Sequence, residues 1–597
     1  MKNSLNTKPE WRVEEGAIVA GVTFVATTLA LSYLSWHMQV PFTNDIAWSS
    51  WPELPKAIGG YLLSILGIKT QSWLNIEALL NLYNHKTMFM WHFYMPLIFA
   101  LPISTYVGYL CAKPVDQYHT RGATLLSGSN AVNYARRYVK NFNKKNNTST
   151  SPPGLLIHQQ FRLAKGDELK GLAFVGSPNA GKSQIITGTL LDTVKQQPNA
   201  KILLLDNKGD YTELFSKDHS TILAPWDKRS DAWDIAKDIL NEADAGLLAH
   251  AMIPKVKGEN AVFSDASRVA LIGYIVCLQR RHGTHWDWRL LAECLEWSIG
   301  YTLTEFQKYY PSGLKIFREG SKSSDSVEFT LMSNLSYLRQ FAQAWPSTNG
   351  GFSLREWIND DSKEKPILLL QVSKAYPTIS DTYTCAVMSV LSQLILSPTY
   401  PDCSSRRIHF VLDEIAQIPH VEQLKNLAAL GRSKGVSIWL GIQDFDLLID
   451  NYGQHEVNSL IGMMQTKIFL SMGSGTGADS VSKLIGDREI FTQNFNENGT
   501  RIPLTQTQRL VAPSEISHLQ PPTLTDGIQG WMTITGCNAV LRLTWPIIKF
   551  NKIRKGVEIA EWIDQIPAAD VTDRVDQVAV SSNKKRLIKK SKDSEDE

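Results

Sequence analysis

Two long runs without a charged residue open the chain, Gly16 to Trp36 (GAIVAGVTFVATTLALSYLSW) and Met88 to Ala112 (MFMWHFYMPLIFALPISTYVGYLCA). Helices rise about 1.5 Å per residue, so each run is long enough to cross a hydrocarbon core. Trp91, Tyr106 and Tyr109 stand towards the ends of the second run, where amphipathic rings favour the bilayer interface. His92, Pro96 and Pro102 weigh against that span, although membrane helices tolerate proline. A cleaved signal peptide competes for the first run, but the run is too long and no small-residue cleavage site clearly follows Trp36. Lys113, Arg121, Arg136, Arg137 and Lys140 follow the second run, whereas 37–87 holds only Lys56, Lys69 and Lys86. That bias puts both termini on the cytoplasmic side. The apolar stretch 57–68 (AIGGYLLSILGI) is too short to span, and is expected to pack in a small cap or lie in the interface.

Beyond the second run the pattern changes. Short, near-continuous apolar runs recur at 171–176, 201–206, 366–372, 408–412, 436–442 and 466–471, with helix-like stretches between most of them. Such runs mark a parallel sheet covered on both faces, and hence an α/β domain. The rhythm breaks between about 240 and 362, where 266–281 and 286–300 show helical spacing without strand signals. This predicts an all-α domain inserted into the α/β one. The Asn/Lys/Ser/Thr-rich patch 141–153 reads as an exposed loop or linker, and the charged tail 583–597 as disordered.

Composition narrows the picture only slightly. With 597 residues and a 43% apolar fraction the chain can bury two or three domains. A formal charge of +3 does not advertise a polyanion partner, so any such contact must be local. The patch 136–145 (RRYVKNFNKK) is a candidate, for phosphate, for anionic lipid or simply for water. Six cysteines (Cys111, Cys277, Cys294, Cys385, Cys403, Cys537) form no C-x-x-C pair, which gives neither a disulfide framework nor a zinc site sequence support.

The chemistry concentrates in Gly176-Ser177-Pro178-Asn179-Ala180-Gly181-Lys182-Ser183, a G-x-x-x-x-G-K-S loop between an expected buried strand and an expected helix. Its glycines let backbone N–H groups turn towards a polyphosphate, the helix N-terminus adds positive potential, Lys182 can reach the β/γ oxygens and Ser183 can ligate Mg²⁺. The strand 408–412 ends in Asp413-Glu414, at the edge where open α/β sheets bind ligands. Asp413 can hold Mg²⁺ through a water, and Glu414 can orient and deprotonate an attacking water. Gln443, at the C-terminal end of 436–442, has an amide able to position a γ-phosphate. Arg432 precedes that strand, so it is either a surface arginine or a finger for a neighbouring subunit's nucleotide.

Taken in order, these motifs resemble the TraD-like coupling proteins of conjugative type IV secretion, relatives of the FtsK translocases among the RecA-like ATPases. Two spans, His119 to Gly128 (HTRGATLLSG), the phosphate loop, Leu205 to Tyr211 (LDNKGDY), Ala224 to Trp233 (APWDKRSDAW), Phe263 with Ala266 to Arg268, Leu412-Asp413-Glu414 and Gly441-Ile442-Gln443 fall in family order. Ala224 departs from the family's Asn-Pro opening. The resemblance implies an ATPase using ATP and Mg²⁺, assembled as a homo-hexamer in the bacterial inner membrane. It would pass relaxase-bound single-stranded DNA, delivered by relaxosome proteins, into the components of a type IV secretion channel. Glu414, Lys182, Arg432 and Gln443 would then be catalytic. Export of protein effectors, or a docking platform whose nucleotide serves assembly, remain alternatives.

The expected organisation is a cytoplasmic tail 1–15, spans 16–36 and 88–112 around a periplasmic segment 37–87, and a RecA-like domain at 113–240 and 363–550. An all-α domain at 241–362 and a C-terminal extension at 551–597 complete it.

Overall fold

The computed structural model describes residues 13–37, 52–112, 118–146, 153–256, 258, 261–346, 351–360, 364–495 and 501–564. The expected disordered tail 583–597 lies outside them. The chain forms two compact units, residues 1–120 with 490–506, and 121–489 with 507–597.

In the first unit, helices α1 (Val13–His37) and α4 (Lys86–Ala112) contain the two uncharged runs and pack along each other. Small residues let their backbones approach: a Cβ on Gly108 would come 2.7 Å from the Ala20 Cβ, and one on Gly16 would be 2.8 Å from the Gly108 carbonyl. Ser35 Oγ also meets His92 Nδ1 at 2.7 Å. The stretch 57–68 falls mostly in α2 (Leu54–Ile65), which is followed by α3 (Gln71–Leu82). Ala57 and Tyr61 of α2 close a small core with Trp73, Ile76 and Leu80 of α3, Phe89 of α4 and Trp36 of α1.

The second unit is built on ten strands. Its strands are β2 (Thr124–Ser127), β3 (Leu172–Val175), β4 (Lys201–Asp206), β5 (Ser220–Leu223), β6 (Ile367–Gln371), β7 (Ile408–Leu412), β8 (Val436–Ile442), β9 (Thr466–Phe469), β12 (Ile528–Ile534) and β13 (Ala539–Trp545). Their order is β2-β13-β12-β9-β3-β8-β7-β4-β6-β5. Three others, β1 (Tyr118–Gly122), β10 (Asp487–Phe495) and β11 (Arg501–Arg509), form a sheet of their own in the order β1-β10-β11.

The run from β9 to β5 is parallel throughout, as the apolar runs imply, but the expectation of a purely parallel sheet needs correction. β12 is antiparallel to both β9 and β13. The reason is visible in burial: β3, β4, β6, β7 and β8 are buried at every position, whereas β13 alternates near its end, exposing Arg542 and Thr544. A strand with one wet face carries no continuous apolar signal.

The helices of this unit include α5 (Gly128–Lys145), α6 (Lys182–Gln196), α7 (Ile235–Asp238) and α8 (Glu242–Met252), then α9 (Ala261–His282), α10 (Trp288–Cys294), α11 (Ile299–Tyr309), α12 (Lys322–Leu335), α13 (Leu338–Ala344), α14 (Leu354–Asn359) and α15 (Pro377–Leu396). Among the described residues only helices and turns occupy 242–346, within the same compact unit as the sheet. The continuous helix suggested over 286–300 is broken, because Asp287 caps α10 at Leu290 N and Ser298 caps a new helix at Tyr301 N. Both ends of this helical excursion are tied together by Asp238, whose buried carboxylate accepts from Trp233 Nε1 (2.7 Å), Ser353 Oγ (2.7 Å), Leu354 N (2.9 Å) and Arg355 N (2.9 Å).

The loop expected at 141–153 also needs correction at its start. Ala131, Ala135, Tyr138 and Phe142 recur at helical spacing, and α5 continues to Lys145, leaving Arg136, Arg137, Lys140, Lys144 and Lys145 on its exposed face. Residues 147–152 lie outside the described ones.

Among the described residues four helices are long and apolar enough to cross a membrane, and burial separates them. The apolar windows of α9 and α15 are 61% and 78% buried, against 0% for Gly16–His37 and 22% for α4. The first pair forms core, whereas the second presents apolar surface outward.

Far from the phosphate loop, at the start of β7, His409 is fully buried and shares Nε2 with Gln197 Oε1 at 3.1 Å. Burial pushes its imidazole down to about 3. An unfolded histidine titrates near 6.5, so below that pH the unfolded chain takes up a proton that the folded chain refuses. Stability is therefore full above roughly pH 6.5 and falls as the pH drops, by about 2 kcal/mol at pH 5. Denaturant titrations at pH 7 and 5 should show this slope in the natural chain and a flatter one in His409→Gln. Equal slopes would mean that the imidazole is protonated in place.

Candidate nucleotide site

Because β3, β7 and β8 are parallel neighbours, the residues that follow them emerge along one edge. The phosphate loop leaves β3 and is held at its base by Gly176 N to Ile442 O (3.0 Å) and Ser177 N to Ser471 O (2.9 Å). It turns through two left-handed residues, Asn179 (φ 64°) and Gly181 (φ 94°), straight into α6. At Gly181 a side chain is doubly excluded, since a Cβ would also press within 2.8 Å of Ile528. Pro178, Asn179 and Ser183 are exposed, Ser177 is half-buried and Ala180 is buried.

Lys182 is 3% exposed and turns inward onto Asp413, 3.2 Å from Oδ1, with a further bond to the Asp413 carbonyl. Ser183 Oγ donates to Asp413 Oδ2 at 2.7 Å. Gln443 lies between the lysine and the second carboxylate: with its amide turned so that donors meet acceptors, the oxygen accepts from Lys182 Nζ at 3.3 Å and the nitrogen donates to Glu414 Oε1 at 3.2 Å. Gly441 permits this closeness, because a Cβ there would overlap the Asp413 carbonyl. The structure thus brings together Lys182, Ser183, Asp413, Glu414 and Gln443, which the sequence spreads over more than 260 positions.

Arg432 is not among them. It lies exposed in the turn Gly431–Lys434 before β8, at the opposite end of the strand from Gln443.

Two side chains in contact with the carboxylates were not singled out as site residues by sequence reasoning. Tyr211 OH donates to Asp413 Oδ2 at 2.9 Å, and Asn207 Nδ2 reaches Glu414 Oε2 at 3.5 Å. Burial, and then the Asp413 carboxylate, hold the Tyr211 phenol well above its usual range, so it stays a neutral donor. Both sit in the LDNKGDY motif after β4, the one available signal.

An inward ammonium, a hydroxyl, two carboxylates and a loop opening a helix form a donor set that fits a Mg²⁺-bound nucleoside polyphosphate. The sequence profile described as "Type IV secretion-system coupling protein DNA-binding domain" matches residues 156–536, more than half of the chain. The chain belongs to this family. It is TraD-like: coupling protein TraD of Escherichia coli (strain K12) is 22% identical over 335 residues, 55% of this chain and 45% of that one. The chain therefore aligns with somewhat less than half the length of this curated relative.

Among solved structures, the unbound monoclinic form of the bacterial conjugative coupling protein TrwBΔN70 superposes with a TM-score of 0.62 at 19% identity, covering 75% of this chain and 97% of that one. Plasmid coupling protein TrwB in complex with ADP and Mg²⁺ gives 0.60 at 19% identity, over 74% and 97%. Its complex with the non-hydrolysable analogue ADPNP gives 0.60 at 19% identity, over 74% and 98%. At that identity the likeness establishes the fold alone, a mixed sheet with helices.

Proposed function

We propose that this coupling protein is a membrane-anchored ATPase that recruits relaxase-bound single-stranded DNA and drives it into a type IV secretion channel. The observation that carries the reading is the convergence of Lys182, Ser183, Asp413, Glu414 and Gln443 at one sheet edge. The solved relative holding ADP and Mg²⁺ supports the choice of ligand. Residues 176–183 cradle the phosphates, Lys182 moves from Asp413 to the β/γ oxygens, and Ser183 with Asp413 holds Mg²⁺. Mg²⁺ held there would supply positive charge against the charge that develops on the phosphates. Glu414 takes the proton of the attacking water, and Gln443, bridging Lys182 and Glu414, reports whether a γ-phosphate is present.

In the same reading α1 and α4 are spans of the inner membrane with both termini cytoplasmic, enclosing a periplasmic cap at 37–87. Residues 113–240 and 363–550 form the motor domain, and 241–362 an inserted all-α domain that meets the relaxosome. Subunits close into a homo-hexamer, and Arg432 acts on the neighbour's nucleotide.

The decisive experiment is ATP hydrolysis by the detergent-solubilised protein with and without single-stranded DNA. Stimulation is expected; hydrolysis indifferent to DNA would overturn the DNA substrate and leave protein export. Glu414→Gln should keep nucleotide affinity within about twofold while hydrolysis falls by about 10² or more, because an amide cannot accept the water's proton. Loss of binding as well would make Glu414 a structural residue.

A further inference from the structure

Two motifs remain without a role at the phosphate loop itself, Leu205–Tyr211 and Ala224–Trp233, and both are grasped by a third segment near the C-terminus. Residues 552–560 run as a strap over the loops that follow β4 and β5. Arg229 holds it by donating to the carbonyls of Lys555 (2.6 Å) and Gly556 (3.0 Å), and Ala560 N donates to Trp226 O at 2.8 Å. Immediately after the other motif, Arg554 Nε donates to Thr212 O (2.8 Å) and Ile553 N to Glu213 O (2.7 Å). Buried Gln371, the last residue of β6, bridges Thr212 Oγ1 (3.1 Å) and Gly556 O (3.0 Å). Gly209 lies so close beneath that a Cβ would come 2.7 Å from the Gly556 Cα.

The strap therefore touches residues on both sides of Tyr211, whose hydroxyl reaches Asp413. Among the described residues the Asp413 side chain has three donors, Lys182, Ser183 and Tyr211. The first two are the groups that a nucleotide and its cation claim. Only Tyr211, 4% exposed, is free to keep the carboxylate aimed once they turn away.

We infer that Tyr211 is a positioning residue for Asp413 and that the C-terminal strap fixes it there, so that the carboxylate's grip on Mg²⁺ depends on a segment more than 100 residues downstream of it. This rests on the nucleotide reading above. In this arrangement the LDNKGDY and APWDKRSDAW motifs are the two jaws of the clasp.

The test is a Mg²⁺ titration of N-methylanthraniloyl-ADP binding to the full chain. Tyr211→Phe keeps the buried ring and removes only the hydroxyl. It should raise the half-saturating Mg²⁺ concentration by about tenfold, the scale of one hydrogen bond to a charged group, with metal-free nucleotide affinity unchanged. Arg554→Ala, away from the site, should raise it in the same sense by about threefold. The double variant should be no worse than Tyr211→Phe alone, since both act through one contact. An unchanged Mg²⁺ requirement in either single variant, additive effects, or an equal loss of metal-free binding overturns the inference. If the natural chain shows no Mg²⁺-dependent nucleotide binding at all, the nucleotide reading fails instead. Should Tyr211→Phe not fold, Arg554→Ala carries the test alone.

Discussion

Lys182→Ala should reduce ATP turnover by about 10²-fold or more while leaving the fold in place, because the charge it removes acts on the phosphates and not on the core. The second half of that expectation needs an argument, since Lys182 is buried and paired. Deleting one partner of a buried ion pair usually strands the other charge, at about 3–5 kcal/mol. Here the stranded carboxylate keeps the Ser183 hydroxyl at 2.7 Å and the Tyr211 hydroxyl at 2.9 Å, and its side chain is 15% exposed. A cost of about 1.5–3 kcal/mol is therefore expected, the scale of a lost hydrogen bond to a charged group. Phosphate release and thermal unfolding, measured on the same preparation, separate the two effects. Normal turnover in the variant would remove Lys182 from the active site. A collapse of stability together with turnover would make the Lys182–Asp413 pair structural first and chemical second.

Much of this site was legible in the sequence because a phosphate loop is written locally. Gly176 to Ser183 are consecutive, and the neighbouring strands announce themselves as buried apolar runs, so β3, β4, β6, β7, β8 and β9 could be found one at a time. The edges were less visible for physical reasons. β5 is four residues, two of them Ser220 and Thr221, and β13 faces water on one side. What no local pattern can state is which strands become neighbours. Tyr211 meets Asp413 only because β4 pairs with β7, about 200 residues away, and the strap reaches Thr212 across more than 300. Residues 551–564, read as an extension, are tied into the α/β body by backbone and arginine contacts, with none of the apolar periodicity that would have drawn attention to them.

Arg432 poses the reverse problem, a residue singled out by sequence whose own site lies elsewhere. Seven residues of β8 separate its turn from Gln443. At about 3.3 Å per residue that is roughly 20 Å, well beyond the reach of an arginine side chain. If Arg432 takes part in hydrolysis, it must therefore serve another subunit, stabilising the transition state across a boundary of the ring. Arginine fingers in related phosphoryl transfers are worth about 10³ to 10⁵ in rate, so Arg432→Ala should depress turnover on that scale with little change in nucleotide affinity. An exposed arginine with only a surface role predicts full activity, which would end the assignment. Mixing decides whose site is served. Lys182→Ala subunits keep the finger and lose the phosphate site, whereas Arg432→Ala subunits keep the site and lose the finger. In co-assembled rings some boundaries join an intact loop to an intact arginine, and partial activity should return. A finger acting within its own chain predicts none, because each variant then lacks half of every site it carries. Rings that require every site would also stay silent, so each variant is diluted into natural subunits as well. Activity falling in proportion to the variant fraction shows that sites work singly, and silence in the mixed-variant rings then refutes action in trans.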